Sequence, residues 1–163
     1  MLTLRNVVAR GLYAYLQRPV VLSDQVVSES DMPYIYYQTV QPYMPLGGSE
    51  ITYDGEALAR TEQVEATISY VVCSADREQD FSPIRGDDEA LALADRLLGW
   101  FGHVGRDWLR QRGIVVVALG NVQNRTAIEV DEVARRYGFD IRLRYIRTDV
   151  LETPPIRDGS ITT

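Results

Sequence analysis

From Arg60 to Cys73 the chain alternates, residue by residue, between apolar and polar. Val64, Ala66, Ile68, Tyr70 and Val72 fall on one side. Glu65, Thr67 and Ser69 fall on the other, joined at the end by Val71. Successive side chains of a strand point to opposite faces, so the pattern predicts a half-buried antiparallel strand. Such a strand needs pairing neighbours and a covering layer, and the rest of the chain has to supply both.

Candidate neighbours are present. Pro33-Tyr34-Ile35-Tyr36-Tyr37-Gln38-Thr39-Val40 is rich in β-branched and aromatic residues, and Pro33 and Pro42 bound it. Phe139, Ile141, Leu143 and Tyr145 alternate with Asp140, Arg142, Arg144 and Ile146 inside a last long element running from about Val133 to Leu151. Val130 to Arg136 is open between helix and strand. Ile114 to Leu119 is a short apolar run that reads as a buried strand. Val20–Leu22 and Val26-Val27 suggest a short strand broken at Ser23-Asp24. Residues 41–60 hold Pro42, Pro45, Gly47, Gly48, Asp54 and Gly55 and read as a long turn-rich connection, with Ile51-Thr52-Tyr53 as the rising arm of a hairpin. Residues 76–86 and 120–127 read as loops.

The covering layer comes from two helical patterns. In residues 3–17, Leu4, Val7, Val8, Gly11, Leu12 and Tyr15 recur on one face, with Thr3 as a candidate N-cap and Pro19 as a stop. Asp87-Asp88-Glu89 opens the second helix, whose dipole favours acids there. Its stripe is Ala90, Leu91, Ala94, Leu97, Leu98 and Phe101. Gly102 and Gly105 mark an end or a kink before a short helix from Arg106 to Gln111. The order predicts an α+β fold: a two-layer structure with a mainly antiparallel sheet and helices packed on one face. Residues 1–152 are expected to form a single domain, and 153–163, with Pro154, Pro155 and Gly159, an extended tail.

Composition bounds the function. The net charge of −6 disfavours nonspecific nucleic-acid binding, and all 17 basic residues are arginine. No stretch approaches the roughly 20 apolar residues that span a bilayer, so no membrane partner is expected. Arg5, Asn6 and Arg10 interrupt any signal-like apolar region at the N-terminus. The single cysteine, Cys73, reads as a small buried hydrophobe in a strand. The one histidine, His103, lies at a helix end with no nucleophile beside it, which argues against a hydrolytic triad. One His and one Cys cannot make a zinc cluster, and no glycine-rich phosphate loop occurs. No catalytic residue, metal or cofactor is expected.

Two groups of residues point to surfaces instead. Arg135, Arg136, Arg142, Arg144 and Arg147 gather in the last strand. They could touch DNA phosphates, pair with acids such as Glu65 and Glu132, or fork carboxylates of a neighbouring subunit. Among the ten tyrosines, Tyr34 and Tyr36 share one strand face and Tyr37 takes the other, so both faces of that strand look covered. Tyr34, Tyr36, Tyr53, Arg135, Arg142 and Arg144 are the candidate oligomer or partner contacts.

The layout as a whole resembles the phage neck (tail) terminator family. An amphipathic helix over Leu2 to Leu16 is followed by the Tyr-rich strand Pro33 to Tyr37 and a glycine-containing loop. Then come the alternating strand Val64 to Tyr70, the helix containing Ala92 to Leu98, and a closing strand over Arg136 to Tyr145. The resemblance covers residues 2–152. It implies a structural virion protein that assembles into a ring, usually a homohexamer, on the tail tube protein. Such a ring docks onto head-completion (stopper) proteins, meets the sheath where the tail is contractile, and passes genomic DNA through its lumen. The expected location is the neck of the virion, after assembly in the host cytoplasm. A head–tail stopper or adaptor, a tail-tube component and a small nucleic-acid-binding domain are the alternatives.

Overall fold

A computed structural model of the chain describes residues 2–25, 27–28, 31–126 and 134–152. The expectations at Val26, Glu132, Val130–Val133 and the tail 153–163 lie outside those residues. Three strands dominate: β2 (Tyr34–Tyr53), β3 (Ala57–Ser74) and β8 (Arg135–Glu152). With β1 (Val20–Leu22), β6 (Val115–Leu119) and β7 (Gln123–Asn124) they form one sheet in the order β1-β2-β3-β8-β6, with β7 also on β8. Only β1 and β2 run parallel. The fold is α+β, as the alternation predicts.

The alternating strand is the middle of this sheet. Its even-numbered side carries Ala66, Ile68, Tyr70 and Val72 into a core shared with Ile35, Tyr37, Phe139, Ile141 and Leu143. The helices cover that side: α1 (Leu2–Leu16), α2 (Gly86–Gly99), a π-helical turn (Trp100–Val104) and α3 (Arg106–Arg110). Helix α1 buries Leu4, Val8, Leu12 and Leu16, a run of i, i+4 steps. The expected stripe therefore shifts: it ends on Leu16, Tyr15 flanks it half-exposed beneath the Arg96 guanidinium, and Thr3 lies inside the helix rather than capping it. In α2 the stripe is Ala90, Leu93, Ala94 and Leu97. Leu91, expected inside, points to solvent because it sits about 100° around the axis from Ala90.

The Gly102/Gly105 kink is the π-helical turn, which places Trp100 and Phe101 in the core together. Aromatic contacts run from there across the sheet. Ring centroids are 4.9 Å apart for Trp100–Phe101, 5.2 Å for Tyr70–Phe101, 5.8 Å for Tyr37–Tyr70 and 6.3 Å for Phe101–Phe139. Each such pair adds about 0.5–1.5 kcal/mol beyond its buried area. Helix α1 reaches this cluster through Gly11, where a Cβ would lie 2.7 Å from the Trp108 ring.

Three segments differ from expectation. Residues 41–50 are strand, not loop, and run on into the hairpin arm Ile51–Tyr53 that the sequence suggests. Pro42, Pro45, Gly47 and Gly48 lie in or beside register shifts on β2, between Thr39 and Gln41, Gln41 and Met44, and Pro45 and Ser49. Beyond Tyr37 no strand among the described residues pairs the outer edge of β2, so a proline's missing N–H removes no ladder bond there. The actual turn is Asp54–Glu56, where the Asp54 carboxylate accepts hydrogen bonds from the backbone N–H groups of Glu56 and Ala57. Residues 76–86 contain a small ribbon, β4 (Arg77–Gln79) with β5 (Ser82–Ile84), and the 120–127 segment carries β7.

The start of α2 is anchored by charge. Arg77 donates to both Glu89 carboxylate oxygens, at 2.7 and 2.9 Å, and Ser74 donates at 2.5 Å. Burial pushes the Glu89 carboxyl up, but Arg77 and Ser74 more than offset this and hold it below the usual carboxylate range. A carboxyl depressed in the folded state stabilises the fold above its unfolded pKa of about 4.3. That contribution fades as pH falls through the lower folded value. Urea unfolding of the wild type should therefore weaken on acidification below about pH 4, and Glu89→Gln should show a shallower decline; equal slopes would refute the linkage. A second expectation concerns Tyr70, whose hydroxyl is buried with no partner among the described residues. Tyr70→Phe should be neutral or stabilising by about 1 kcal/mol, whereas Phe101→Ala should cost about 3–5 kcal/mol in the same measurement.

Candidate assembly surface

The helical layer covers only half of the long strands. β3 has 18 residues, about 60 Å of extended chain. Its buried run starts at Val64, whereas residues 57–61 are part-exposed or exposed. The matching ends of β2 and β8 are exposed on both faces. The result is a three-stranded arm that projects past the helices, with Tyr53, Leu58 and Leu151 level with one another near its tip.

Two carboxylates tie the strands at the base of the arm. On the face continuous with the core, Glu62 is only 5% exposed. It accepts from the Tyr43 hydroxyl at 2.8 Å, from Arg60 at 3.2 Å and from Arg147 at 3.2 Å. Arg147 also bonds Asp149 at 2.9 Å and lies over the Tyr43 ring. The hydrogen bond to Glu62 pushes the Tyr43 hydroxyl up from its ordinary range. On the opposite face Glu65, also 5% exposed, accepts from Arg144 at 3.0 and 2.7 Å, and Arg142 lies 3.4 Å away. Farther along that face Arg125 reaches across β8, donating to Ser69 at 2.5 Å and to Asp140 at 3.0 Å.

Of the readings of the arginine strand, pairing with acids of the same chain is seen at two positions. Arg142 and Arg144 spend their charge on Glu65, the partner expected from sequence. The six candidate contact residues do not form one patch. Tyr34 and Tyr36 lie on the outer face opposite Cys73 and Val71, with rings 6.3 Å apart, beside Arg136. Burial, followed by the Cys73 thiol, pushes the Tyr34 hydroxyl up. Arg142 and Arg144 share that outer face but lie several residues farther along β8. Arg135 points to the opposite face, toward the helical layer, with its buried Nε unpartnered among the described residues. Tyr53 sits alone near the arm tip, more than half exposed. Sequence reasoning missed Glu62 and Tyr43; extending the even-numbered alternation of β3 back past Val64 would have placed Glu62 on the core side.

His103 is exposed on the π-helical turn, and Cys73 is buried beneath the Tyr34 strand. No three His, Cys, Asp or Glu side chains among the described residues cluster as metal ligands. No helix among them is long and apolar enough to cross a membrane. Removing Glu65 would leave two neighbouring arginines without their shared acceptor. Glu65→Ala should cost about 2–3 kcal/mol in urea unfolding, the lower end for breaking a buried pair because both arginines can rehydrate. An unchanged midpoint would mean the pair is ornamental.

No curated protein matches the chain. A family model described as phage neck terminator protein matches residues 6–162, which spans the arm, its base and the helices except the first turn of α1. That family consists of structural virion components of the tail–head junction. The chain belongs to the phage neck terminator protein family.

Proposed function

We propose that the chain is the ring subunit of the neck. Copies close into a ring, a hexamer by the resemblance, on the end of the tail tube. The ring docks onto head-completion proteins and, in a contractile tail, meets the sheath. Genomic DNA passes through its lumen without specific binding. On this reading residues 1–152 act as one terminator-like domain, 153–163 as a reaching tail, and the chain makes and breaks no bonds. Assembly takes place in the host cytoplasm.

The observation that carries the reading is where the exposed apolar surface lies. Tyr43, Leu46, Ile51, Tyr53, Ile146, Val150 and Leu151 are all at least two-fifths exposed and gather on the arm or its base, whereas the other exposed large apolar residues among those described, Tyr13, Tyr15, Val40, Phe81, Leu91, Val104 and Val115, are spread over separate elements. Apolar surface gathered on one projecting element marks a contact with another chain. The charge pattern supports a DNA conduit. Arg60, Arg125, Arg142, Arg144 and Arg147 each have a carboxylate within 4 Å, and the chain carries a net −6. A wall of that balance lets a polyanion slide rather than stick.

Cryo-EM of the virion neck tests the proposal. The expected result is a closed ring of this chain around the DNA channel, between tail tube and head. Absence of the chain from purified particles, or its presence as an isolated copy, would sink the reading.

A further inference from the structure

We propose that neighbouring copies join edge to edge on the arm: the distal edge of β2 in one copy adds, in parallel, to the bare edge of β8 in the next. The inference rests on the ring reading and names the surfaces that make the ring.

The β8 edge is the first observation. β6 pairs β8 only as far as Arg144. From Ile146 to Glu152 no other strand among the described residues pairs that edge. It contains no proline or glycine, its Arg147 and Asp149 pair with each other, and Ile146, Val150 and Leu151 are each more than three-fifths exposed. Such an edge is an aggregation hazard unless a partner covers it. A groove of about 360 Å³ runs beside its first half, between the start of α1 and the turn before β6. Leu4 and Ile114 line it, and Arg112 brings positive charge. A strand laid on the edge would drop alternate side chains into this groove.

The second observation is the other edge. Past Tyr37 no strand among the described residues pairs the outer edge of β2, but Pro42, Pro45 and the bulges guard it as far as Gly48. From Ser49 to Tyr53 the register against β3 is regular and the edge is unguarded. Charge complements the groove: residues 46–59 hold Glu50, Asp54 and Glu56 and no basic residue. Arg112 stacks on Trp108 and pairs with no carboxylate among the described residues.

Topology sets the direction. β2 and β8 are both antiparallel to β3, so they run the same way. A rotation that carries one copy to the next without inverting it brings β2 beside the next β8 in parallel. A two-fold pairing of β8 with β8 would leave both β2 edges bare; the head-to-tail pairing uses both edges of every copy and closes.

Cysteine pairs test the contact in assembled particles. Thr52 is level with Ala59, and Ala59 with Val150, so Thr52 and Val150 of one copy are two strand spacings apart. That is about 9.6 Å, beyond the roughly 7 Å a disulfide spans. Any disulfide in Thr52→Cys/Val150→Cys, or in the shifted pair Thr52→Cys/Thr148→Cys, must therefore join two copies. Cys73 is buried and does not compete. Expected is a reductant-sensitive ladder on a denaturing gel, ending at the closed ring. Particles that hold the ring but yield only monomer with both pairs would overturn the edge pairing and leave the ring reading standing. Dimers from Val150→Cys alone would overturn it in favour of β8 on β8. Wild-type chain missing from particles would remove the ring reading and this inference together. Charge reversal covers a cysteine variant that fails to assemble. Glu50→Arg and Arg112→Glu should each lower incorporation about fivefold, as expected for a rim charge pair worth about 1 kcal/mol, and the double reversal should restore it. Normal incorporation of both single variants would overturn the proposal.

Discussion

The structure hangs on the two-sided pairing of β3. Backbone pairing with β8 covers it from Ala57 to Ser74, and pairing with β2 covers most of the same span. Fixing extended backbone costs about 1–2 kcal/mol per residue, and two ladders plus a buried face offset that over residues 64–73. Every other part is placed by this strand. Its even side sets where the helices lie, and its length sets how far the arm extends beyond them. Even the carboxylates Glu62 and Glu65 owe their opposite faces to its parity.

The same parity explains what could be read from sequence. Where one face is buried, the apolar alternation in β3 and β8 is strong, and the sheet, its antiparallel sense and the helical cover follow from it. The pattern fades where neither face is buried. Over residues 41–53 no periodic burial exists to mark a strand, and Pro42, Pro45, Gly47 and Gly48 read as turns although they sit at bulges on a free edge. The helix stripes are legible to within one or two positions. Tyr15 against Leu16 and Leu91 against Leu93 turned on which flank meets the sheet, a tertiary fact. Among the candidate contacts, the pairing of Arg142 and Arg144 with Glu65 was legible because cross-strand neighbours follow from register. The scatter of Tyr34, Tyr53 and Arg135 over three regions was not, because it depends on how far β2 and β8 run.

Charge organisation links the fold to the family's role. This chain gathers arginines into its last strand and then answers most of them with carboxylates from the same sheet. The arm keeps exposed apolar side chains at Leu46, Ile51, Val150 and Leu151. A component of the tail–head junction has to hold firmly to proteins while a polyanion goes past, and such a division of surface suits both demands. Tyrosines with raised hydroxyl pKa values, such as Tyr34 and Tyr43, stay protonated and neutral across ordinary conditions, so they add contact area without adding charge.

The strut formed by Tyr43, Arg60, Glu62, Arg147 and Asp149 crosses all three strands where the arm leaves the helices. Through Glu62 it ties β2 and β8 to β3 at one level, so a pull on any one strand of the arm is shared with the other two.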